Sequence, residues 1–157
     1  MKTNKRTSGQ TLIEFTLVFP LLIFLIFGLF DLGRVVFYYA TLNTAVREAT
    51  RSASVLDTST PNKYSVIEAK LKEYLWVKEL KDNCQIADNP ICVITPSYLD
   101  TTRPSDPDLP FDPRISVEVT YNFEPITPGI SLLAGPGGKI PLKVESVMFL
   151  APVAKPE

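Results

Sequence analysis

Sixteen consecutive residues, Phe15 to Phe30, carry no charge and are dominated by Leu, Ile and Phe. Adding Thr11–Glu14 gives about 20 residues, or about 30 Å of helix, the thickness of a bilayer's hydrocarbon core. Asp31 and Arg34 mark its outer edge. The flanking charges and the apolar density favour a membrane span over a buried soluble helix. The run is longer than the h-region of a secretory signal, and no small-x-small site follows it at Phe30-Asp31-Leu32-Gly33-Arg34. Conventional signal cleavage is therefore not expected.

Charge supplies the orientation. Residues 1–9 hold Lys2, Lys5 and Arg6 and no acid. From Asp31 onward there are 16 acids and 13 bases. A basic tip before the span and a mildly acidic body after it place the N-terminus in the cytoplasm. The basic residues are too few and too local for a nucleic-acid partner. A length of 157 residues suits one domain plus an anchor.

The chain has no histidine, which removes the commonest general base and metal ligand. No nucleophile–base pair, phosphate loop or metal cluster is visible, so neither an enzyme nor a cofactor is expected. Cys84 and Cys92 are too far apart for a C-x-x-C redox motif. Outside the cytoplasm a disulfide between them is the expected state, with two reduced thiols as the alternative. Two thiols without histidine leave a metal shell unfilled.

Glu14 is the one acid within the apolar stretch. A carboxylate there is costly unless it is partnered or sits at headgroup level. Gly9-Gln10-Thr11-Leu12-Ile13-Glu14-Phe15 reads G-x-x-x-x-E-F directly before an apolar helix. It looks like the cleavage motif of type IV pilin-like proteins, in the form used by the tight-adherence (Tad) pilus. The stretch from Gly9 to about Ser54 resembles the TadE-like family. The resemblance rests on Gly9-Gln10, Glu14-Phe15, Pro20, Gly28, the acid-x-Gly step Asp31-Leu32-Gly33 and the run Ala45–Arg51. Family members often have Glu where this chain has Asp31, a change that keeps the charge.

The resemblance implies cutting between Gly9 and Gln10 by a membrane-embedded prepilin peptidase. Gln10 would then carry the new ammonium, about 6 Å along the helix from Glu14. In an assembly Glu14 would meet a neighbouring subunit's ammonium, each charge offsetting the cost of burying the other. The implied role is a minor pilin-like subunit of a Tad pilus used for adherence or secretion. Its implied partners are other pilin-like subunits, the peptidase and the inner-membrane assembly platform. A minor subunit is favoured because the family's major pilins are shorter and often lack a sizeable outer domain. The alternative is an unprocessed single-pass envelope scaffold or binding protein.

Past the span, Leu32, Val35, Val36, Tyr39, Leu42, Val46, Ala49 and Ala53 recur at helical spacing. They predict one helix over about 11–54, with this stripe facing its own domain. Pro61 at a first helical position and a capping box at Ser65-x-x-Glu68 predict a second helix over about 62–81. Its face is Ile67, Leu71, Tyr74 and Leu75, with Lys70, Lys72, Lys78 and Lys81 in solvent. Ile91–Thr95, Ile115–Phe123 and Ile140–Leu150 read as strands, and Pro141 marks an edge or a strand start. Asp100–Pro113 reads as an exposed Pro-rich loop. Its acids Asp100, Asp106, Asp108 and Asp112 fit a solvated loop better than a calcium site. Ile130–Ala134 reads as a short apolar piece that closes the core, with contact to the membrane surface as the alternative.

The expected fold is therefore α+β: a long spine helix, a second helix and a small antiparallel sheet. Residues 1–9 form the leader, 10–31 the span and 32–157 the extracytoplasmic domain.

Overall fold

The computed structural model describes residues 7–56, 61–86, 91–99, 113–127, 129–130, 134 and 136–150. The chain forms α1 (Thr7–Ser54), α2 (Lys63–Tyr74), α3 (Lys78–Asn83), β1 (Cys84–Gln85), β2 (Cys92–Leu99), β3 (Arg114–Phe123) and β4 (Ile140–Phe149). The four strands make one sheet in the order β1-β2-β3-β4. The architecture is α+β, as expected.

α1 runs 48 residues without interruption through Pro20, about 70 Å at the helical rise. Its first half is bare, with Leu12, Phe15, Leu21, Leu25 and Phe30 all exposed. Its second half is the spine of the core. Leu42, Ala45, Val46, Ala49 and Ala53 pack with Ile67, Leu71 and Leu75 and with the sheet's Ile94, Val117, Val119, Tyr121 and Val144. Small Ala side chains on α1 let the other elements approach closely. The hydroxyl of buried Thr50 donates to the Val46 carbonyl, which satisfies it inside the core.

The buried face of α1 is rotated from the predicted one. Leu32, Val36 and Tyr39 are exposed, whereas Asp31, Tyr38, Ala45 and Thr50 are buried. The true stripe is 31-35-38-42-45-49, a strict three–four spacing. An apolar-only reading misses its polar members at Asp31 and Tyr38 and follows the exposed hydrophobics instead.

The second helix also differs. It stops at Tyr74, Leu75 takes an extended backbone, and α3 starts at Lys78. Leu80 comes five residues after Leu75, which on a continuous helix points about 140° away from it. The break re-aims the chain so that both are buried, and it leaves Trp76 86% exposed. The capping box is absent. Asn62 is the N-cap, in the left-handed region at φ 62°, without a side-chain cap bond. Pro61 lies in the turn before it. Ser65 Oγ donates to the Asn62 carbonyl, and Glu68 pairs with Lys72 and accepts from the Ile86 amide.

β3 is central and pairs antiparallel with β2 and β4. Ile115, Val117, Val119, Tyr121 and Phe123 are buried and Glu118, Thr120 and Asn122 half-buried, whereas Ser116, on the polar side of the alternation, is buried too and donates to Glu145. Glu118 and Glu145 sit directly opposite each other across β3 and β4. Their like charges are separated in use: Glu118 takes Lys143 at 3.1 Å, and Glu145 accepts from Ser116 Oγ at 2.7 Å. Pro141 lies near the start of β4, an edge strand. β2 extends to Leu99, beyond the predicted Thr95. Its Pro96 falls where, among the described residues, no strand pairs with the outer side, so its missing amide costs the sheet nothing there.

The sheet is mixed rather than purely antiparallel, because β1 adds two residues parallel to β2. So short a strand has no periodicity to read. Cys84 and Cys92, register partners in this pairing, are joined in a disulfide with Cα atoms 4.6 Å apart. Both cysteines are fully buried. Replacing both by alanine should lower stability by about 2–3 kcal/mol, from the unfolded-chain entropy of a loop this short. Equal denaturation midpoints for the variant and the oxidised parent would contradict this. The acids Asp100, Asp106, Asp108 and Asp112 and most of Ile130–Ala134 lie outside the described residues.

Candidate functional site on the long helix

The sequence singles out two acids on α1, Glu14 and Asp31, and the structure gives them different surroundings. Glu14 lies on the bare part of the helix and is exposed. Four residues earlier on the same face, Gln10 Nε2 donates to Glu14 Oε1 at 3.1 Å. Phe15 stacks toward Phe19 with ring centroids 5.4 Å apart. Thr16 returns its hydroxyl to the Leu12 carbonyl at 2.7 Å. The polar side chains Gln10, Glu14 and Thr16 are thus satisfied locally, as an apolar surround demands.

Gly9, Gly28 and Gly33 all sit within α1, and a Cβ built on any of them meets nothing within 4 Å. Each costs a helix about 1 kcal/mol relative to alanine. Packing within this chain does not require glycine at these three positions.

Asp31 sits 4% exposed on the buried face. Its carboxylate accepts from the Ile126 amide at 3.1 Å, the Thr127 amide at 2.7 Å and Thr127 Oγ1 at 2.6 Å. Arg34, one turn on, approaches at 3.4 Å. These bonds pin the segment after β3 to the helix. The Arg34 guanidinium lies over the Phe123 ring at 5.0 Å and the Tyr38 ring at 5.6 Å. Both rings also meet edge to face, so the end of β3 is clamped onto α1.

The clamp continues to α3. Tyr38 Oη donates to Glu79 Oε2 and Tyr121 Oη donates to Glu79 Oε1, both at 3.1 Å. Burial pushes the Tyr121 phenol well above its usual range, and the Glu79 carboxylate adds to the shift. Glu79 thereby ties α1, β3 and α3 together through one side chain. Sequence reasoning missed Glu79, Thr127, Tyr38 and Tyr121. The available signal was Asp31 and Tyr38 lying seven residues apart in phase with Leu42, which places polar groups on a face that must be buried.

Gln10 and Glu14 therefore form one place on α1, and Asp31 with Arg34 forms another about 25 Å away along the helix. Gly9 borders the first and Gly33 the second. Cys84 and Cys92 belong to the core and join neither. Among the described residues, no three His, Cys, Asp or Glu side chains come together so as to hold a metal ion.

The stretch from Gly9 has a mean hydropathy of 2.5 in its most apolar window, none of it buried within the chain. One long, bare, apolar N-terminal helix fits a single-pass membrane protein. Comparison with known proteins adds a family. The model of the family described as TadE-like protein matches residues 9–51. No curated protein and no solved structure matches the chain. The matched residues cover all of α1 except its first two and last three positions. Over the long helix that carries both acids, the chain is similar to the TadE-like family.

Proposed function

We propose that the chain is a minor pilin-like subunit that takes part in building a Tad-type pilus for adherence or secretion. A prepilin peptidase cuts it after Gly9, and Gln10 becomes the N-terminus. The observation that carries this reading is Glu14, an acid one helical turn from the cleavage position, on a bare apolar helix that continues into the core of an outer domain. In the uncut chain the Gln10 side chain occupies Glu14. After cutting, the ammonium at Gln10 supplies a formal positive charge that a neighbouring subunit's Glu14 can take. Gly28 suits the same reading, since small residues on membrane helices let partner helices approach closely. The assembly platform and other pilin-like subunits are the partners, the outer domain lies outside the cytoplasm, and the role is structural rather than enzymatic.

Replacing Gly9 with leucine tests the processing step. A peptidase site that admits only a small residue there will leave the leader on. In the native host, wild-type protein should then run lighter than the variant by the mass of Met1–Gly9. Equal masses at the full-length value would contradict processing.

A second reading is an unprocessed single-pass anchor of the same system. The Gln10–Glu14 bond favours it, because it gives the carboxylate a partner without cleavage or assembly. The Gly9 variant separates the two, since an uncut anchor keeps one mass throughout.

A further inference from the structure

The Asp31 latch places part of the outer domain alongside the apolar helix rather than above it. Glu124–Thr127 and Gly129–Ile130 follow β3 and turn back along α1 toward its N-terminus. Asp31 holds Ile126 and Thr127. Further along, a Cβ on Gly129 would lie 3.7 Å from Phe24 Cε2. Phe24 is seven residues before Asp31, about 10 Å along the axis. Long helical side chains lean toward the helix N-terminus, so the Phe24 ring lies no higher than its own backbone.

This changes the arithmetic of the span. On the side the segment covers, the bare apolar helix runs only from Thr11 to Ile23, about 20 Å. That falls about 10 Å short of a hydrocarbon core. We infer that Glu124–Thr127, with Gly129 and Ile130, is embedded in the outer leaflet of the bilayer, at the boundary between headgroups and acyl chains, with Ile126 as its lipid contact. Ile126 is 65% exposed. Phe27 and Phe30, four and one residues before Asp31 on α1, are exposed as well.

Irregular backbone at this depth must have its donors satisfied within the protein. The carboxylate of Asp31 satisfies the Ile126 and Thr127 amides, the Thr127 carbonyl takes the Ile130 amide, and the Ile130 carbonyl takes the Ala134 amide. An acid at the end of the apolar run thus makes a non-helical segment tolerable beside lipid. Arg34, stacked on Phe123, lies one turn further out, where its charge reaches the headgroups.

The inference rests on α1 spanning the membrane, and the test separates the two. Full-length protein with its disulfide intact is made as three variants, I126C, L25C and V55C. Each is labelled with an environment-sensitive fluorophore and reconstituted in phosphatidylcholine–phosphatidylglycerol vesicles. Quenching is read with nitroxide lipids labelled near the headgroup end of the acyl chain and, separately, with aqueous iodide. Val55 is exposed beyond the far end of α1 and Leu25 is exposed on the bare helix. The position-126 probe should be quenched by nitroxide about threefold more than the position-55 probe, and shielded from iodide. Iodide quenching at 126 with shielding at 25 would overturn the inference and leave the span intact. Iodide quenching at both positions would overturn the span and the inference with it.

Discussion

Replacing Asp31 with alanine should free the segment after β3 from the long helix and cost the folded domain about 3 kcal/mol. The magnitude follows from what the carboxylate holds. Three donors from the segment after β3 converge on it beside Arg34, and Thr127 is 1% exposed. A hydrogen bond to a charged acceptor contributes about 1.5–3 kcal/mol, and a buried donor stripped of its partner costs about 1–3 kcal/mol. The three bonds share one acceptor, so their losses do not add. Removing a desolvated charge returns part of the cost. Asparagine should rescue little, because its NH2 group would face donors that need an acceptor. For a domain of this size the midpoint should fall by roughly 10–20 °C, and exchange protection of the Ile126 and Thr127 amides should be lost. A variant within about 0.5 kcal/mol of the parent and with those amides still protected would contradict the latch.

Replacing Glu14 with leucine should have the opposite profile. Glu14 lies on the bare half of the helix, and its carboxylate bonds to Gln10 one turn away. The melting midpoint of the isolated protein should stay put. The loss should come in assembly, where a neighbour's ammonium would be buried without its counter-charge. Leaving one member of a buried ion pair alone costs about 3–5 kcal/mol. That corresponds to a drop of roughly 100-fold or more in incorporation into the pilus. Glutamine should recover only part of it, offering a dipole where a charge is needed. Incorporation at the parental level with leucine at 14, measured in the native host, would remove the charge-pairing step from the account.

These two acids also show how far the sequence could be read. Glu14 stood out because nothing else in its neighbourhood is charged, and the family resemblance supplied a chemistry for it. Asp31 was visible only as part of a motif and a boundary. Its partners lie 95 and 96 residues away, in a connection with no periodic pattern. The long helix was legible because apolar density fixes length. The face it buries was not, because Leu32 and Val36 are apolar yet exposed, and of the adjacent tyrosines Tyr39 is exposed while Tyr38 is buried against Tyr121 and Phe123. β3 was the clearest strand because it is central and alternates over ten residues. β1 was invisible at two residues and is defined by its pairing beside the Cys84–Cys92 disulfide. The break between α2 and α3 follows from where Leu75 and Leu80 must both be buried, a tertiary demand that helix propensity cannot express.

The central claim is that cutting after Gly9 creates the positive charge that Glu14 awaits. N-terminal sequencing of the wild-type protein recovered from membranes of its native host tests it most directly. The account predicts Gln10 as the first residue. Recovery of the protein with Met1–Gly9 still attached, in cells that assemble the pilus, would contradict it.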